Sequence, residues 1–211
     1  MQTPPNRSTP HPPDGHQWID YYRAIEGRPP RETLLKALTN CDAEPAASRF
    51  AVDLGCGDGR DTVELLHRGW RVLAIDGEAA AIARLCQRPD ISPQQLETRV
   101  ERFEDLTLPE QVDLINASFC LQFCSPADFP AFWQKLVTAI RVGGRLCGQL
   151  IGDCDSWAAY AHMSHHTREQ VMELLAPFEL EWFEEEEHPG KTALGVEKHW
   201  HLFHLVARKI G

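Results

Sequence analysis

In the segment AVDLGCGDGRDT, Ala51 to Thr62, three glycines stand at alternate positions, Gly55, Gly57 and Gly59. An acid, Asp53, precedes them and a cation, Arg60, follows. Glycines so spaced let the backbone turn sharply and approach a partner that a Cβ would hold away. The apolar run before them reads as a strand and the pattern after them as a helix, whose free N–H groups and partial positive charge face the loop. A pyrophosphate-binding fingerprint would be Gly-x-Gly-x-x-Gly, and Arg60 occupies the place of its third glycine. Asp53, two residues before the first glycine, would repel a pyrophosphate and attract an ammonium or sulfonium cation. A ligand with an amino-acid-like end, a carboxylate for the helix and a cation for Asp53, meets both demands. Arg60 is either a partner for that carboxylate or a helix-surface cation. Cys56 is either a nucleophile or, more simply, a small residue that fits between glycines.

Asp76 ends the next apolar run, RVLAID, where a carboxylate can accept hydrogen bonds from both ribose hydroxyls. Beyond a third run, VERFEDL supplies Phe103, able to stack on a base, and Glu104 or Asp105, able to accept from an exocyclic amine. Amino acid, ribose and adenine in that order describe S-adenosylmethionine (SAM).

These residues need a scaffold, and the chain supplies an alternating one. RFAVDL, RVLAID, LETRVERF, VDLINAS, RLCGQLI, FELEWFEEEE and HWHLFHLVARK read as seven strands. Helical patterns separate most of them: Arg60 to Trp70, EAAAIARLCQR, FPAFWQKLVTAI closed by Gly143 and Gly144, and TREQVMELLA capped by Thr167. The expected fold is α/β: a doubly wound, mostly parallel seven-stranded sheet with helices on both faces and an antiparallel strand at one edge. Residues 1–15 read as a flexible proline-rich tail and 16–211 as a single domain. Within it, 16–45 form N-terminal helices covering the site, with Trp18, Tyr21, Tyr22 and Ile25 at helical spacing.

VDLGCGDG, Asp76, RFEDL and DLINASFCLQFC, in that order, resemble the motifs of the seven-stranded, Rossmann-like class I SAM-dependent methyltransferases. The resemblance runs from about Phe50 to Lys209. More loosely, YYRAIEGRPPRETLL and the small size are similar to the tellurite-resistance and thiopurine-type small-molecule methyltransferases. The resemblance implies a cofactor set of Asp53, Gly55, Cys56, Gly57, Gly59, Arg60, Asp76, Phe103 and Glu104. It also puts Asn116, Ala117 and Ser118 where the fourth strand reaches the reacting methyl group. A substrate wall would draw on Trp18, Tyr21, Tyr22, Phe119 and Trp157; core packing explains Trp18, Tyr21 and Tyr22 equally well, and strand-end packing explains Phe119 better. Arg23 and Arg28 face either an anionic substrate or water, and no catalytic residue stands out.

With 31 acidic against 21 basic residues, net charge −10, a protein dominated by nucleic-acid phosphates is not expected. Neither a signal core nor a membrane-spanning run is visible. Seven cysteines without a CxxC pair read as free thiols in a reducing cytoplasm. HMSHHTR and HWHLFH suggest metal ligands, but neither offers a convincing set alone, and no metal is expected; one of their histidines serves better as a general base. The acidic run Glu184 to Glu187 reads as solvated. The expected activity is methyl transfer to a small-molecule acceptor. Two rivals remain: a catalytically silent SAM- or nucleoside-binding module acting through partners, and an NAD-dependent oxidoreductase.

Overall fold

A computed structural model describes residues 17–45 and 49–211, so the expected tail lies outside the described residues. Two helices come first, α1 (Gln17–Ile25) and α2 (Glu32–Asp42). Strands and helices then alternate: β1 (Phe50–Leu54), α3 (Arg60–His67), β2 (Arg71–Asp76), α4 (Ala79–Cys86), β3 (Leu96–Val100), β4 (Val112–Ala117), α5 (Phe129–Ala139), β5 (Ile140–Ile151) and α6 (Arg168–Leu174). A hairpin of β6 (Phe178–Lys191) and β7 (Glu197–Lys209) ends the chain. All seven strands form one sheet in the order β3-β2-β1-β4-β5-β7-β6. β1 to β5 pair in parallel, whereas β7 is antiparallel to both its neighbours. The inverted strand therefore lies one place in from the edge, and β6 closes that side.

Successive side chains of a strand face opposite sides of the sheet, and each side here buries a separate apolar layer. Val52 and Leu54 of β1 pack with Phe132, Trp133 and Leu136 of α5 and Val171 of α6. Ala51, pointing the other way, packs with Leu34 and Leu38 of α2, Leu65 of α3 and Leu85 of α4. Helices thus cover both faces, as the near-continuous apolar runs of the strands require. Asp53 is the exception in β1, a carboxyl at 1% exposure among residues at 0–1%. Its cost demands partners.

Some boundaries move for identifiable reasons. α5 stops at Ala139, before the glycines expected to close it, and β5 begins at once. A Cβ on Gly144 would lie 2.8 Å from the Val112 carbonyl oxygen, so the glycine serves a β4–β5 irregularity between Val112 and Leu114. β3 ends at Val100, short of Phe103, because the chain turns there and Asp105 N–H donates to the Arg102 carbonyl. That turn carries residues 101–104 over the sheet's carboxyl edge. Thr167 caps α6 as its spacing suggests, in a reciprocal arrangement with Gln170.

The acidic run of β6, read as solvated, faces imidazoles of β7. Glu185 lies 3.2 Å from His201, Glu186 2.7 Å from His204 and Glu187 3.0 Å from His199.

Candidate active site

The strand order reverses between β1 and β4, which opens a crevice at their carboxyl ends. Asp53 of β1, Asn116 of β4 and Cys147 of β5 are register partners on adjacent strands and form a buried polar row. Asn116 Nδ2 donates to Asp53 Oδ1 at 2.8 Å and to Asp61 Oδ2 at 3.1 Å. Its Oδ1 accepts from Ser118 Oγ at 2.8 Å and from the Cys147 thiol at 3.4 Å. Thr62 Oγ1 donates to Asp53 Oδ2 at 2.5 Å, and the Arg31 backbone N–H donates to Asp61 Oδ1 at 2.9 Å. One amide thus bridges two carboxyl groups and ties α2, α3, β1 and β4 together beneath the glycine loop.

Burial, with the Asp61 carboxylate close by, pushes the Asp53 pKa up to about 7. An unfolded aspartate titrates near pH 4. Between those values the folded state holds the extra proton, so this group's stabilisation is complete on the acid side and is lost as pH rises through about 7. Asp53→Asn keeps the shape and removes the titration. The variant is expected to lose less unfolding free energy than the parent between pH 4 and 7, as read by urea denaturation at fixed pH values; parallel profiles would contradict this.

The glycines have internal reasons as well as a place beside the cavity. Gly55, Gly57 and Gly59 have φ of +59°, +58° and +92°. A Cβ on Gly55 would lie 2.4 Å from Cys120 Cβ, and one on Gly57 would lie 3.0 Å from the Tyr22 ring. One on Gly59 would lie 2.4 Å from Leu85 of α4. Asp76 holds the loop from the side: its Oδ2 accepts from Gly57 N–H at 2.9 Å and its Oδ1 from Glu78 N–H at 2.8 Å. Burial, more than these bonds offset, raises its pKa. Burial and then Asp53 push the Cys56 thiol well up, which favours the packing reading over the nucleophilic one.

A cavity of about 350 Å³ lies over this loop. Of the residues expected to hold the cofactor, Asp53, Gly55, Cys56, Gly57, Arg60, Asp76, Phe103, Glu104, Asn116 and Ser118 line it. Gly59 and Ala117 do not: Gly59 packs on α4, and Ala117 is fully buried. Phe103 is anchored on Phe132 of α5, ring centroids 4.9 Å apart. Glu104, rather than Asp105, is the acid that reaches the cavity. Arg60 Nε donates to the Pro29 carbonyl at 2.6 Å, while its Nη1 is buried without a partner among the described residues. Burial and then the neighbouring Arg31 lower the Arg60 pKa, which Asp61 offsets only in part.

A second cavity, about 290 Å³, shares Trp18, Tyr21, Ile25, Arg31, Phe119 and Phe123 with the first. Trp157 lines only this second one. Tyr22 lines only the first of the two, pressed on Gly57 at 5% exposure. Phe119 stands at the shared wall with φ +55°, a left-handed conformation uncommon outside glycine. Its backbone N–H donates to Gln149 Oε1 at 3.1 Å, and the Arg31 guanidinium lies 4.3 Å from its ring centre. Arg28 reaches this cavity; Arg23 instead pairs with Asp20 at 3.3 Å.

Arg31, Asp61, Thr62, Phe123 and Trp200 have no assigned role in the sequence reading, which weighs His204 as a ligand or base and Glu186 as solvated but does not pair them. Asp61 and Thr62 carried a signal, being polar on the buried face of α3. Trp200 and His204 carried one only jointly with β6, since alternate positions of β7 meet the second cavity. Asp153, Cys154 and His201 could together meet a metal ion, but His201 Nδ1 already accepts from Cys154 N–H at 3.1 Å.

Residues 51–144 match a family model described as a methyltransferase domain. Over 132 residues the chain is 28% identical to a carboxy-S-adenosyl-L-methionine synthase from Cronobacter sakazakii, covering 59% of this chain and 51% of that one. The chain spans about half the length of the curated relatives it matches. Among solved structures, TehB from Haemophilus influenzae superposes with a TM-score of 0.69 at 16% identity, over 91% of this chain and 67% of TehB. The N-methyltransferase NodS from Bradyrhizobium japonicum, solved with S-adenosyl-L-homocysteine (SAH), gives 0.64 at 19%, over 92% and 98%. At those identities the two structures speak for the fold alone. Residues 51–144, which carry the glycine loop, Asp76 and Asn116, are thus similar to a methyltransferase domain, and the chain shares the Rossmann-like fold of TehB and NodS.

Proposed function

We propose that the chain is an enzyme that transfers the methyl group of SAM to a small-molecule acceptor. The observation that carries this reading is the cavity at the carboxyl ends of β1, β2 and β4, where a buried guanidinium nitrogen of Arg60, without a partner among the described residues, stands beside the glycine loop. The residues present fit the cofactor. Arg60 Nη1 suits its carboxylate, the open lone pairs of Asp76 suit the ribose hydroxyls, and Phe103 with Glu104 suits the base. Bound SAM supplies a methyl group already activated on a sulfonium. The chain's own part is to align an acceptor and exclude water, which Trp18, Tyr21 and Tyr22 of α1 do by covering the cavity. The acceptor approaches from the second cavity, past Phe119.

Among the described residues no helix is long and apolar enough to cross a membrane. Our reading places the enzyme in the cytoplasm, supported by seven free cysteines, five of them buried. The net charge of −10 speaks against a nucleic-acid acceptor. Titration calorimetry with SAM and SAH, followed by SAH release across thiol, phenol, amine and oxyanion acceptors, tests the proposal. Tight binding with turnover of at least one acceptor is expected; binding without any turnover would favour the silent module, and tighter binding of NAD the oxidoreductase.

A second reading draws on the curated relative's name together with Arg31 and Arg60 beside one cavity: the chain modifies the cofactor itself. A carboxylated SAM in the mass spectrum of the purified protein's bound cofactor would favour it.

A further inference from the structure

The second cavity has a composition that narrows what it can hold. Trp18, Tyr21, Phe119, Phe123, Trp157 and Trp200 line it. Their rings follow one another around the wall: Trp18 to Phe123 at 5.5 Å, Phe123 to Trp157 at 6.3 Å, Trp157 to Trp200 at 6.0 Å and Trp200 to Phe119 at 6.4 Å. The two indoles furthest from α1 are fixed from behind. The Lys198 ammonium lies 4.4 Å from the Trp157 ring centre and 4.2 Å from that of Trp200, and it pairs with Asp155, both side chains fully buried. A wall of rigid rings favours a flat, polarisable guest. An apolar cavity of about 150 Å³ already admits benzene, so about 290 Å³ suits one or two fused rings.

Aromatic walls also attract cations, so the charges decide. Arg28 and Arg31 both reach the cavity, and among the described residues neither has a carboxylate within ion-pair distance. Lys191 adds a third positive charge, loosely paired with Glu197 at 3.4 Å. The acid on the wall, Glu186, is taken up by two imidazoles, His204 at 2.7 Å and His188 at 2.6 Å. The potential inside is therefore positive, and a guanidinium matches a carboxylate in geometry as well as charge.

We propose that the second cavity is the acceptor site and that the acceptor is a planar aromatic carboxylate of one or two rings. This rests on the methyltransferase reading above, and it adds the class of molecule that reading leaves open. Arg28 and Arg31 hold the anionic end, while the ring lies among the tryptophans with its nucleophilic atom turned past Phe119.

The test is a set of calorimetric titrations on the protein saturated with SAH. Benzoate and indole-3-carboxylate are compared with cyclohexanecarboxylate, which keeps the charge without the aromatic ring, and with benzylamine, which keeps the ring and reverses the charge. At least one aromatic carboxylate is expected to bind tenfold more tightly than both comparators. Arg28→Gln, at an unchanged melting temperature, is expected to reduce that preference at least fivefold. Equal or tighter binding of benzylamine would overturn the proposal in favour of a cation cage. Equal binding of cyclohexanecarboxylate would remove the role of the rings, and no binding by either aromatic carboxylate would end it. Failure of SAH itself to bind, read in the preceding titration, would instead defeat the methyltransferase reading.

Discussion

Alanine at Gly55 is expected to destabilise the protein by about 3 kcal/mol and to abolish measurable binding of SAM. Two costs add. Gly55 has φ +59°, where an L side chain costs about 1–2 kcal/mol. Its new Cβ would meet Cys120 Cβ at 2.4 Å, an atom next to the main chain that no rotamer change can move, and overpacking of this kind costs about 1–3 kcal/mol. For a domain of this size that corresponds to a fall in melting temperature of roughly 10 °C. Cys120→Gly in the same chain removes the collision and leaves the backbone strain, so the double variant should recover about half of the loss. A single variant that melts with the parent would show that the loop and Cys120 are not packed in this way.

Asp76→Asn acts on the ligand more than on the fold. In the native loop both carboxylate oxygens accept backbone N–H groups, from Gly57 and Glu78, and the remaining lone pairs face the cavity. The amide offers one oxygen in place of two and sets an NH2 donor against a backbone donor. Hydrogen bonds to an ionised group contribute about 1.5–3 kcal/mol each. Losing the loop restraint together with the proposed ribose acceptor should cost roughly 3 kcal/mol in SAM binding, about a hundredfold in affinity by calorimetry. An affinity within threefold of the parent would remove Asp76 from the cofactor site.

Much of the architecture was open to reading from the chain alone. Strand patterns alternate with helical ones through most of the chain, over distances that parallel crossovers require, so the doubly wound sheet follows from periodicity and connection length. The acids at the ends of β1 and β2 and the glycines between them are local features, and local features survive translation into sequence. The interior of the site is different. Asp53 reads as a bare carboxylate waiting for a cation, yet it is shared by Thr62 and Asn116, and Asn116 comes from a strand 63 residues away. Nothing near Asp53 in the sequence announces that partner.

The same limit explains the second cavity. Composition and spacing dictated a glycine loop flanked by acids, because turn chemistry, strand-end acids and helix dipoles act over a few residues. The second cavity draws Trp18 and Arg31 from the amino-terminal helices and their connection, Phe119 and Phe123 from the end of β4, and Trp200 and His204 from β7. Whether an aromatic side chain among these packs in a core or walls a chamber depends on strand order and hairpin register. Those are set by long-range burial across the whole sheet, which only the folded chain resolves.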